Sequence, residues 1–285
     1  MSHILAIGIA TLDIINTVAT YPTEDSEVRA LSQQIRRGGN ATNTLVILSQ
    51  LGHQCSWGGV WVDEPDGQKI LADLVYYKID IRYCHRFSKG KMPTSYIIIN
   101  QANGSRTIVH YRNLPEFSLS DFQQIELSQF DWLHFEGRHI SDTLLMLQQI
   151  KRNGVNITTS IEIEKPRANI TQLFPYADVL LFSKNYAQSQ AYQNAPDFLM
   201  AMRTQVQSAL LICAWGEQGG YALDKDNQLL HSPAITGKIV DTLGAGDTFN
   251  AGIIHNLCQQ KTLAYALQQA CQLAGQKCMQ QGLII

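Results

Sequence analysis

The residues best suited to chemistry lie in the stretch VDTLGAGDTFNAG, residues 240–252, where three small residues precede an acid. Gly244 and Gly246 lack Cβ atoms, so an anion can approach the main chain closely there. A helix that opens near Asp247 would aim unpaired N–H groups and a positive dipole end at the same place. A carboxylate beside such an anion hole suits phosphoryl transfer, with Asp247 as the base that accepts the proton of the attacking hydroxyl. The simpler interpretation is that Asp247 only caps the helix, which is worth about 1 kcal/mol.

A second group of polar residues could hold the molecule that receives the phosphoryl group. Asp13 comes just after the first predicted strand, and the segment GGNATN places Asn40 and Asn43 one helical turn apart. Carboxylate and amide groups that converge at the end of a sheet would recognise a neutral, polyhydroxylated molecule. The alternative for Asn40 is that it caps the following helix.

Three further patterns give weaker signals. Arg106 follows a predicted hairpin turn, where an arginine is normally a solvated charge and binds phosphate only if the hairpin folds over the site. The segment CAWGEQGG runs from a strand into a glycine-rich turn at 216–220, which is typical of an ordinary tight connection as well as of a phosphate cradle. Glu162 and Glu164 alternate on one strand and could either hold Mg²⁺ or form a solvated pair.

Several common catalytic motifs are absent from the sequence. It contains no G-x-x-x-x-G-K-[ST], and Phe249 breaks the G-x-G-x-x-G pattern. There is also no H-E-x-x-H and no G-x-S-x-G, so we predict no zinc site and no serine hydrolase.

Composition excludes several classes of function. Lys and Arg total 22 against 24 Asp and Glu, which leaves no net basic field for nucleic acid or an anionic membrane. The longest apolar run, ALLICAW, is far shorter than the roughly 20 residues of a membrane span. The first residues read as a core strand, not as a signal peptide, so we expect a cytoplasmic protein. The six cysteines include no C-x-x-C pair and are expected to be reduced.

Short apolar segments alternate with helix-period segments, which predicts buried parallel strands joined by right-handed helical crossovers. The predicted strands are 4–10, 56–61, 132–137, 156–163, 178–183 and 209–215, and the predicted helices are 40–51, 65–78, 141–152, 195–208, 249–257 and 263–278. This order predicts an α/β protein, a three-layer α/β/α sandwich formed as a single domain over residues 1–285.

Two stretches break this rhythm, at about 14–37 and 92–112, and the second contains a hairpin signal at Asn103-Gly104. If both leave the same edge of the main sheet, they would form a small β-strand lid over the carboxyl ends of its strands. Ligands of α/β proteins usually bind at those ends.

The chain resembles the ribokinase-like, or phosphofructokinase-B, family of sugar kinases from about the first strand to Gly282. DTLGAGDTFNAG matches the C-terminal signature of that family, and GGNATNTLVILSQLG matches the N-terminal one. Five other segments are similar to those of the ketohexose kinases within the family, namely YPTEDSEVRALSQ, NGSRTIVHYR, HFEGR, SIEIEKPR and CAWGEQGGYAL. The resemblance implies the ribokinase-like version of the predicted sandwich.

The resemblance also implies roles for individual residues. Asp247 would be the base, and the anion hole for the transferred phosphoryl group would consist of Gly244, Ala245 and Gly246. The sugar would be held by Asp13, Gly39, Asn40, Asn43 and Asp247. Arg106 would reach the nucleotide phosphates from the lid, and Cys278 would lie near the adenine. The rest of the ATP cleft would be lined by Trp215, Gly216, Glu217 and Gly219.

The implied activity is ATP-dependent phosphorylation of a ketohexose, with conversion of D-fructose to fructose 1-phosphate as the leading hypothesis. ATP and Mg²⁺ would be the cofactors, and K⁺ would be an optional second cation. A homodimer joined through the lid is also implied, with Asp25 on the lid near the partner's site. The alternatives are a kinase for another sugar or nucleoside and, from a different class, a non-catalytic sugar-binding sensor.

The chain departs from the family at two places that bear on cations. Many relatives carry an Asn-x-x-Glu motif associated with Mg²⁺, but the matching segment SKNYAQ has no Glu in phase. The chain also ends at QGLII, short of a longer tail that could close a monovalent-ion site. The sequence therefore predicts no particular metal ligands.

Overall fold

The computed structural model describes all 285 residues, in fifteen strands and eight α-helices. The strands are β1 His3–Ile7, β2 Thr11–Val18, β3 Ser32–Gly38, β4 Gln54–Gly58, β5 Val60–Val62, β6 Ile79–Asp80, β7 His85–Phe87, β8 Thr94–Asn100, β9 Arg106–Tyr111, β10 Trp132–Glu136, β11 Thr158–Ile163, β12 Val179–Ser183, β13 Leu210–Ala214, β14 Gly220–Leu223 and β15 Leu229–Ser232. The helices are α1 Asn40–Gln50, α2 Pro65–Tyr76, α3 Leu119–Phe122, α4 Ile140–Arg152, α5 Lys184–Ser189, α6 Ala195–Arg203, α7 Ala245–Cys258 and α8 Leu263–Cys278.

Nine strands form one large sheet in the order β15-β14-β13-β12-β11-β10-β1-β4-β6. Neighbours from β13 to β6 run parallel, while β14 and β15 pair antiparallel at one edge. All residues of β10 are buried, as are four of the five in β1. Strands that are buried on both faces are covered by helices on both sides. The predicted three-layer α/β/α fold is confirmed.

Four strands form a second, smaller sheet in the order β3-β2-β8-β9, which we call the lid sheet. β2 pairs antiparallel with β3 and parallel with β8. β8 and β9 pair antiparallel on either side of residues 101–105, so the hairpin signal at Asn103-Gly104 is confirmed. All six residues of β9 are exposed, whereas four of the eight residues of β2 are buried.

Three predicted elements differ from those observed. The strand predicted at 56–61 is divided, because β5 leaves the large sheet to pair with β7. The helix predicted at 195–208 ends at Arg203, whose guanidinium donates to the carbonyl oxygens of Val206 at 2.7 Å and Ala209 at 3.0 Å. α7 begins at Ala245, four residues before the predicted start of its apolar pattern.

α7 packs against both α1 and α8, so the ends of α1 and α7 that carry the predicted site residues are held by the core. No helix is both long enough and apolar enough to cross a membrane.

Candidate active site

A cavity of about 880 Å³ lies between the lid sheet and the carboxyl ends of β10, β11 and β12. It is lined by nine of the residues to which the family resemblance gives a role, namely Asp13, Gly39, Asn40, Asn43, Arg106, Gly244, Ala245, Gly246 and Asp247. They come from the lid sheet, from the first turn of α1 and from the first turn of α7.

Gly244 and Gly246 occupy different environments in the turn that opens α7. Gly244 is the N-cap, with a left-handed φ of 78°, and a Cβ atom there would lie 2.6 Å from Leu283 Cδ2. A Cβ atom added to Gly246 would meet nothing within 4 Å, although this residue lines the cavity. Glycine is therefore required by the backbone at the first position, and at the second it leaves room for a ligand.

The open donors of this turn are the N–H groups of Gly246 and Asp247, which have no acceptor in the preceding loop. The N–H of Ala245 donates instead to Thr242 O at 3.3 Å. Unpaired N–H groups at the start of a helix of fourteen residues, together with the positive end of its dipole, favour an anion in the cavity.

Asp247 is the third residue of α7, and Gly244 is the N-cap, so the simple capping interpretation of Asp247 is wrong. The residue is buried, with 7% exposure, and Asn43 Nδ2 donates to its Oδ2 at 2.7 Å. Burial raises the pKa of Asp247 to about 7, and the hydrogen bond from Asn43 acts against the rise. A buried carboxylate with a pKa near neutrality can accept a proton at physiological pH.

Glu136 and Glu162, at the ends of β10 and β11, form an acidic wall of the cavity. Glu162 Oε1 accepts from Asn250 Nδ2 at 3.0 Å, whereas its buried Oε2 has no partner. Burial and then the nearby Asp247 raise the pKa of Glu162 well above its usual value. The solvated-pair interpretation is wrong for Glu162, while the half-exposed Glu164 lies 3.4 Å from Lys165 Nζ.

The predicted sugar-binding residues occupy the side of the cavity next to α1. Gly39 is the N-cap of α1 with a φ of 105°, and Asn40 is the first helical residue, so the capping interpretation of Asn40 is wrong. A Cβ atom on Gly39 would lie 2.2 Å from Ile9 O, which is a steric clash, so only glycine fits at this position. Asp13 Oδ1 accepts from Thr11 Oγ1 at 2.8 Å, and burial raises the pKa of Asp13.

The lid sheet places Arg106 on β9, exposed and at the edge of the cavity. The β8–β9 hairpin therefore does fold over the cavity, which is the condition under which Arg106 could bind phosphate. Ser95 and His110 also line the cavity from the lid, with Ser95 Oγ 3.1 Å from His110 Nδ1. Ser95 and His110 lie opposite one another on β8 and β9. Neither belongs to a recognisable sequence motif, so no sequence signal could have identified them.

Arg37 was missed from the sequence although it immediately precedes the GGN segment. Its Nη1 donates to Asn43 Oδ1 at 2.7 Å, and its Nε donates to Asp73 at 2.6 Å. A chain of hydrogen bonds thus runs from α2 through Arg37 and Asn43 to Asp247.

Asp241, just before the glycine turn, was also missed. It accepts from Arg36 Nη1 at 2.9 Å and from the N–H of Gly282 at 3.1 Å, and its backbone oxygen accepts from the buried Lys277 at 2.7 Å. Burial alone would raise the pKa of Asp241, but the hydrogen bonds from Gly282, Leu243 and Arg36 hold it below the usual value. These contacts fix the start of the turn against the lid sheet and α8.

The residues predicted along the ATP cleft, other than Arg106, do not line this cavity, namely Trp215, Gly216, Glu217, Gly219 and Cys278. The first four form the turn that follows β13. Cys278 ends α8, and its carbonyl oxygen accepts from the N–H groups of Val240 at 2.8 Å and Asp241 at 3.2 Å. No group of three or more His, Cys, Asp or Glu side chains is arranged to bind a metal ion.

Comparison with known proteins places these features in a family. The model of the pfkB family of carbohydrate kinases matches residues 1–285. The chain is 42% identical to ketohexokinase of Mus musculus over 289 aligned residues, which cover 98% of this chain and 97% of that protein. A fructosamine kinase of Bacillus subtilis is 25% identical over 248 residues, covering 85% of this chain and 83% of the kinase.

Among solved structures, ribokinase from Giardia lamblia superposes with a TM-score of 0.87 at 16% identity, covering 99% of this chain and 96% of that one. Ribokinase from Arabidopsis thaliana, complexed with ribose and ATP, gives a TM-score of 0.82 at 17% identity, with 99% and 94% covered. These two likenesses show a shared fold. The family match and the 42% identity to the mouse protein also show family membership. The chain belongs to the pfkB family of carbohydrate kinases.

Proposed function

We propose that the protein transfers the γ-phosphoryl group of ATP to a ketohexose, converting D-fructose to fructose 1-phosphate. The observation that carries this proposal is the position of Asp247, buried in the cavity, held by Asn43 and next to the open N–H groups of Gly246 and Asp247 itself. A proton acceptor and an anion site within one helical turn are the two parts that phosphoryl transfer requires. The 42% identity to mouse ketohexokinase supports a ketohexose as the acceptor.

In this proposal the sugar lies between α1 and the lid strand β2. Asn40, Asn43 and Asp13 supply donors and acceptors for its hydroxyl groups, and Gly39 lines the same side of the cavity. The attacking hydroxyl faces Asp247, which takes its proton as the oxygen bonds to phosphorus. The bond from the γ-phosphorus to the bridging oxygen breaks, and ADP leaves.

The charge of the transferred group is stabilised by the N–H groups of Gly246 and Asp247 and by the dipole of α7. Arg106 approaches from the lid and would contact the nucleotide phosphates. The adenosine part would extend from the cavity towards the turn at Trp215–Gly219 and towards Cys278.

Carboxylates line the cavity, but no three of them are arranged to bind a metal ion on their own. Mg²⁺ would therefore enter the site bound to ATP. Mg²⁺ usually binds one or two carboxylates together with phosphate oxygens and waters. The unpartnered Oε2 of Glu162 is the acidic oxygen best suited to face it, directly or through water. When bound, the cation would neutralise phosphate charge. The role of K⁺ stays a prediction.

A homodimer through the lid sheet is part of the proposal. Tyr96, Val109 and Tyr111 alternate with residues that line the cavity, so they lie on the outer face of the lid sheet, and they are 47%, 64% and 50% exposed. An apolar face of this kind is typical of an interface. Asp25 lies in the exposed turn between β2 and β3 and could approach the partner's site.

The proposal is tested by ADP release from Mg-ATP with D-fructose, other ketohexoses, ribose, adenosine and fructose 6-phosphate. We expect release that depends on D-fructose and on Mg²⁺, with fructose 1-phosphate as the product. Turnover of ribose or adenosine in preference to every ketohexose would show that the substrate is not a ketohexose. Fructose binding without any ADP release would favour a sensor over an enzyme.

A further inference from the structure

Asn43 is held on both sides of its side-chain amide. Its Nδ2 donates to Asp247 Oδ2 at 2.7 Å, and its Oδ1 accepts from Arg37 Nη1, also at 2.7 Å. The two contacts form a short bridge from a guanidinium to the carboxylate of Asp247.

The guanidinium decides which way this amide points. Arginine has five N–H donors and no acceptor, so only Oδ1 of Asn43 can face Arg37. Nδ2 must then face Asp247, where it stabilises the ionised carboxylate. With no guanidinium in this position, the amide could turn over and present Oδ1 to a protonated Asp247, which would stabilise the acid form instead.

Arg37 is itself fixed in place. Its side chain is only 3% exposed, its Nε donates to Asp73 at 2.6 Å, and its Nη1 donates to Thr42 Oγ1 at 3.0 Å as well as to Asn43. Arg37 lies on lid strand β3, Asp73 on α2, and both Thr42 and Asn43 on α1. The buried guanidinium of Arg37 therefore joins its own strand, β3, to both α1 and α2.

The structure assigns to Arg37 a positioning role: it fixes the amide of Asn43 so that the amide favours the ionised form of Asp247, which can accept a proton. This assignment rests on the proposed function, in which Asp247 is the base. Arg37 has no direct hydrogen bond to Asp247, so it acts through Asn43.

Three carboxylates near Asp247 oppose this effect. Glu162 at β11, Glu164 just beyond it and Glu136 at β10 are carboxylates, and their negative charge favours the protonated form of Asp247. Arg37 is the cation whose charge favours ionisation of Asp247. Removing Arg37 takes away this positive charge and should raise the pKa of Asp247.

The assignment is tested on the free protein, by ¹³C NMR titration of the carboxyl of Asp247 in protein labelled at aspartate. The signal is identified by its absence in Asp247→Asn. In Arg37→Met, an apolar replacement for a buried side chain, the midpoint should rise by about 1 pH unit. In Arg82→Met, which removes an arginine that is 74% exposed and paired with Asp80, the midpoint should not move.

A double variant separates the bridge from a direct effect of charge. In an Asn43→Ala background the amide is gone, so Arg37→Met should raise the midpoint by less than half as much as it does with Asn43 present. An equal rise in both backgrounds would show that Arg37 acts by charge alone, and no rise in either would remove it from the site. Both results overturn the positioning role.

Asp73→Ala covers the case in which Arg37→Met does not fold. Asp73 is 38% exposed on α2, so alanine there should preserve the fold. Loss of a negative charge would by itself lower the midpoint of Asp247, whereas release of Arg37 from its anchor raises it. A rise supports the assignment, and a fall or no change overturns it. The titration needs no substrate, so a failed kinase assay and a failed positioning role give different results.

Discussion

The floor of the cavity and the lid sheet above it are built in contrasting ways. On the floor, Asp247 is 7% exposed and accepts a hydrogen bond from Asn43 at 2.7 Å, and α7 is packed against α1 and α8. In the lid sheet, β9 is exposed along its whole length, and the side chain of Arg106 lies at the cavity without a hydrogen bond to another side chain or to the backbone.

This difference separates two tasks. Proton transfer and charge stabilisation need groups fixed within a fraction of an ångström, which only a packed core can supply. A thin exposed sheet is less constrained and is suited to contacts that form when the ligand arrives. Changes on the floor should therefore alter turnover, and changes on the exposed strand β9 should mainly alter binding.

The largest effect is expected from Asp247→Asn, which keeps the shape of the residue and removes the proton acceptor. We expect kcat for D-fructose to fall by roughly 10² or more, with fructose affinity changed little. Steady-state ADP release and calorimetric fructose binding provide the two measurements. Wild-type turnover in this variant would remove Asp247 from the mechanism and with it the contrast between floor and lid.

Gly246→Ala sharpens the comparison on the floor. The new methyl group meets no protein atom within 4 Å, so the fold should be preserved, but it enters the space proposed for the transferred phosphoryl group. We expect kcat to fall by about 10². Gly154→Ala, in an exposed turn after α4, is the control for a glycine substitution far from the cavity; its φ of 61° makes alanine less stable there, but activity should be kept. Unchanged turnover in Gly246→Ala would place the phosphoryl group elsewhere.

Arg106→Ala probes the lid. We expect KM for ATP to rise by about tenfold and kcat to change by less than about twofold, because an exposed arginine contributes modestly to binding. Arg82→Ala, at another exposed arginine, is the matched control. An unchanged KM for ATP would show that Arg106 does not contact the nucleotide. This conclusion would hold whether or not Asp247 is the base.

The buried carboxylate should also weaken the fold at high pH. The pKa of Asp247 in the folded state is about 7, above its usual value near 4 in an unfolded chain, so the folded state holds the proton more tightly. The free energy of unfolding therefore falls as the pH rises from about 4 to 7. Asp247→Asn should stabilise the protein at pH 8 by at most a few kcal/mol, since one pKa unit is worth about 1.4 kcal/mol.

Thermal unfolding at pH 8 and pH 4 measures this difference. The Tm gain of Asp247→Asn should be present at pH 8 and absent at pH 4. A gain of equal size at both would trace the effect to packing and not to ionisation.

The sequence was sufficient to identify the residues that lie within contiguous motifs. The glycine turn with Asp247, and the GGNATN segment with Asn43, each stand on one local element, and their pattern predicted the element and its place at the binding cavity. The alternation of strands and helices likewise predicted the central sheet, since buried parallel strands are apolar along their whole length.

The contacts that hold those residues were not predictable in this way. Arg37 meets Asp73 across 36 positions of the chain, Glu136 meets the N–H of Ile9 across 127, and Arg36 meets Asp241 across 205. Each partner is an ordinary residue in its own neighbourhood, and only the tertiary fold brings the two together. The division of the strand at 56–61 was missed for the same reason, because β5 follows a distant partner in β7.

The most direct test of the account is the dependence of kcat for D-fructose on pH, measured between pH 5.5 and 8.5 with saturating Mg-ATP. Asp247 must be ionised to accept a proton, so kcat should rise with pH through a midpoint near 7, where burial places the pKa of Asp247. A kcat that is constant across this range, or that falls as the pH rises through 7, would contradict Asp247 as the base.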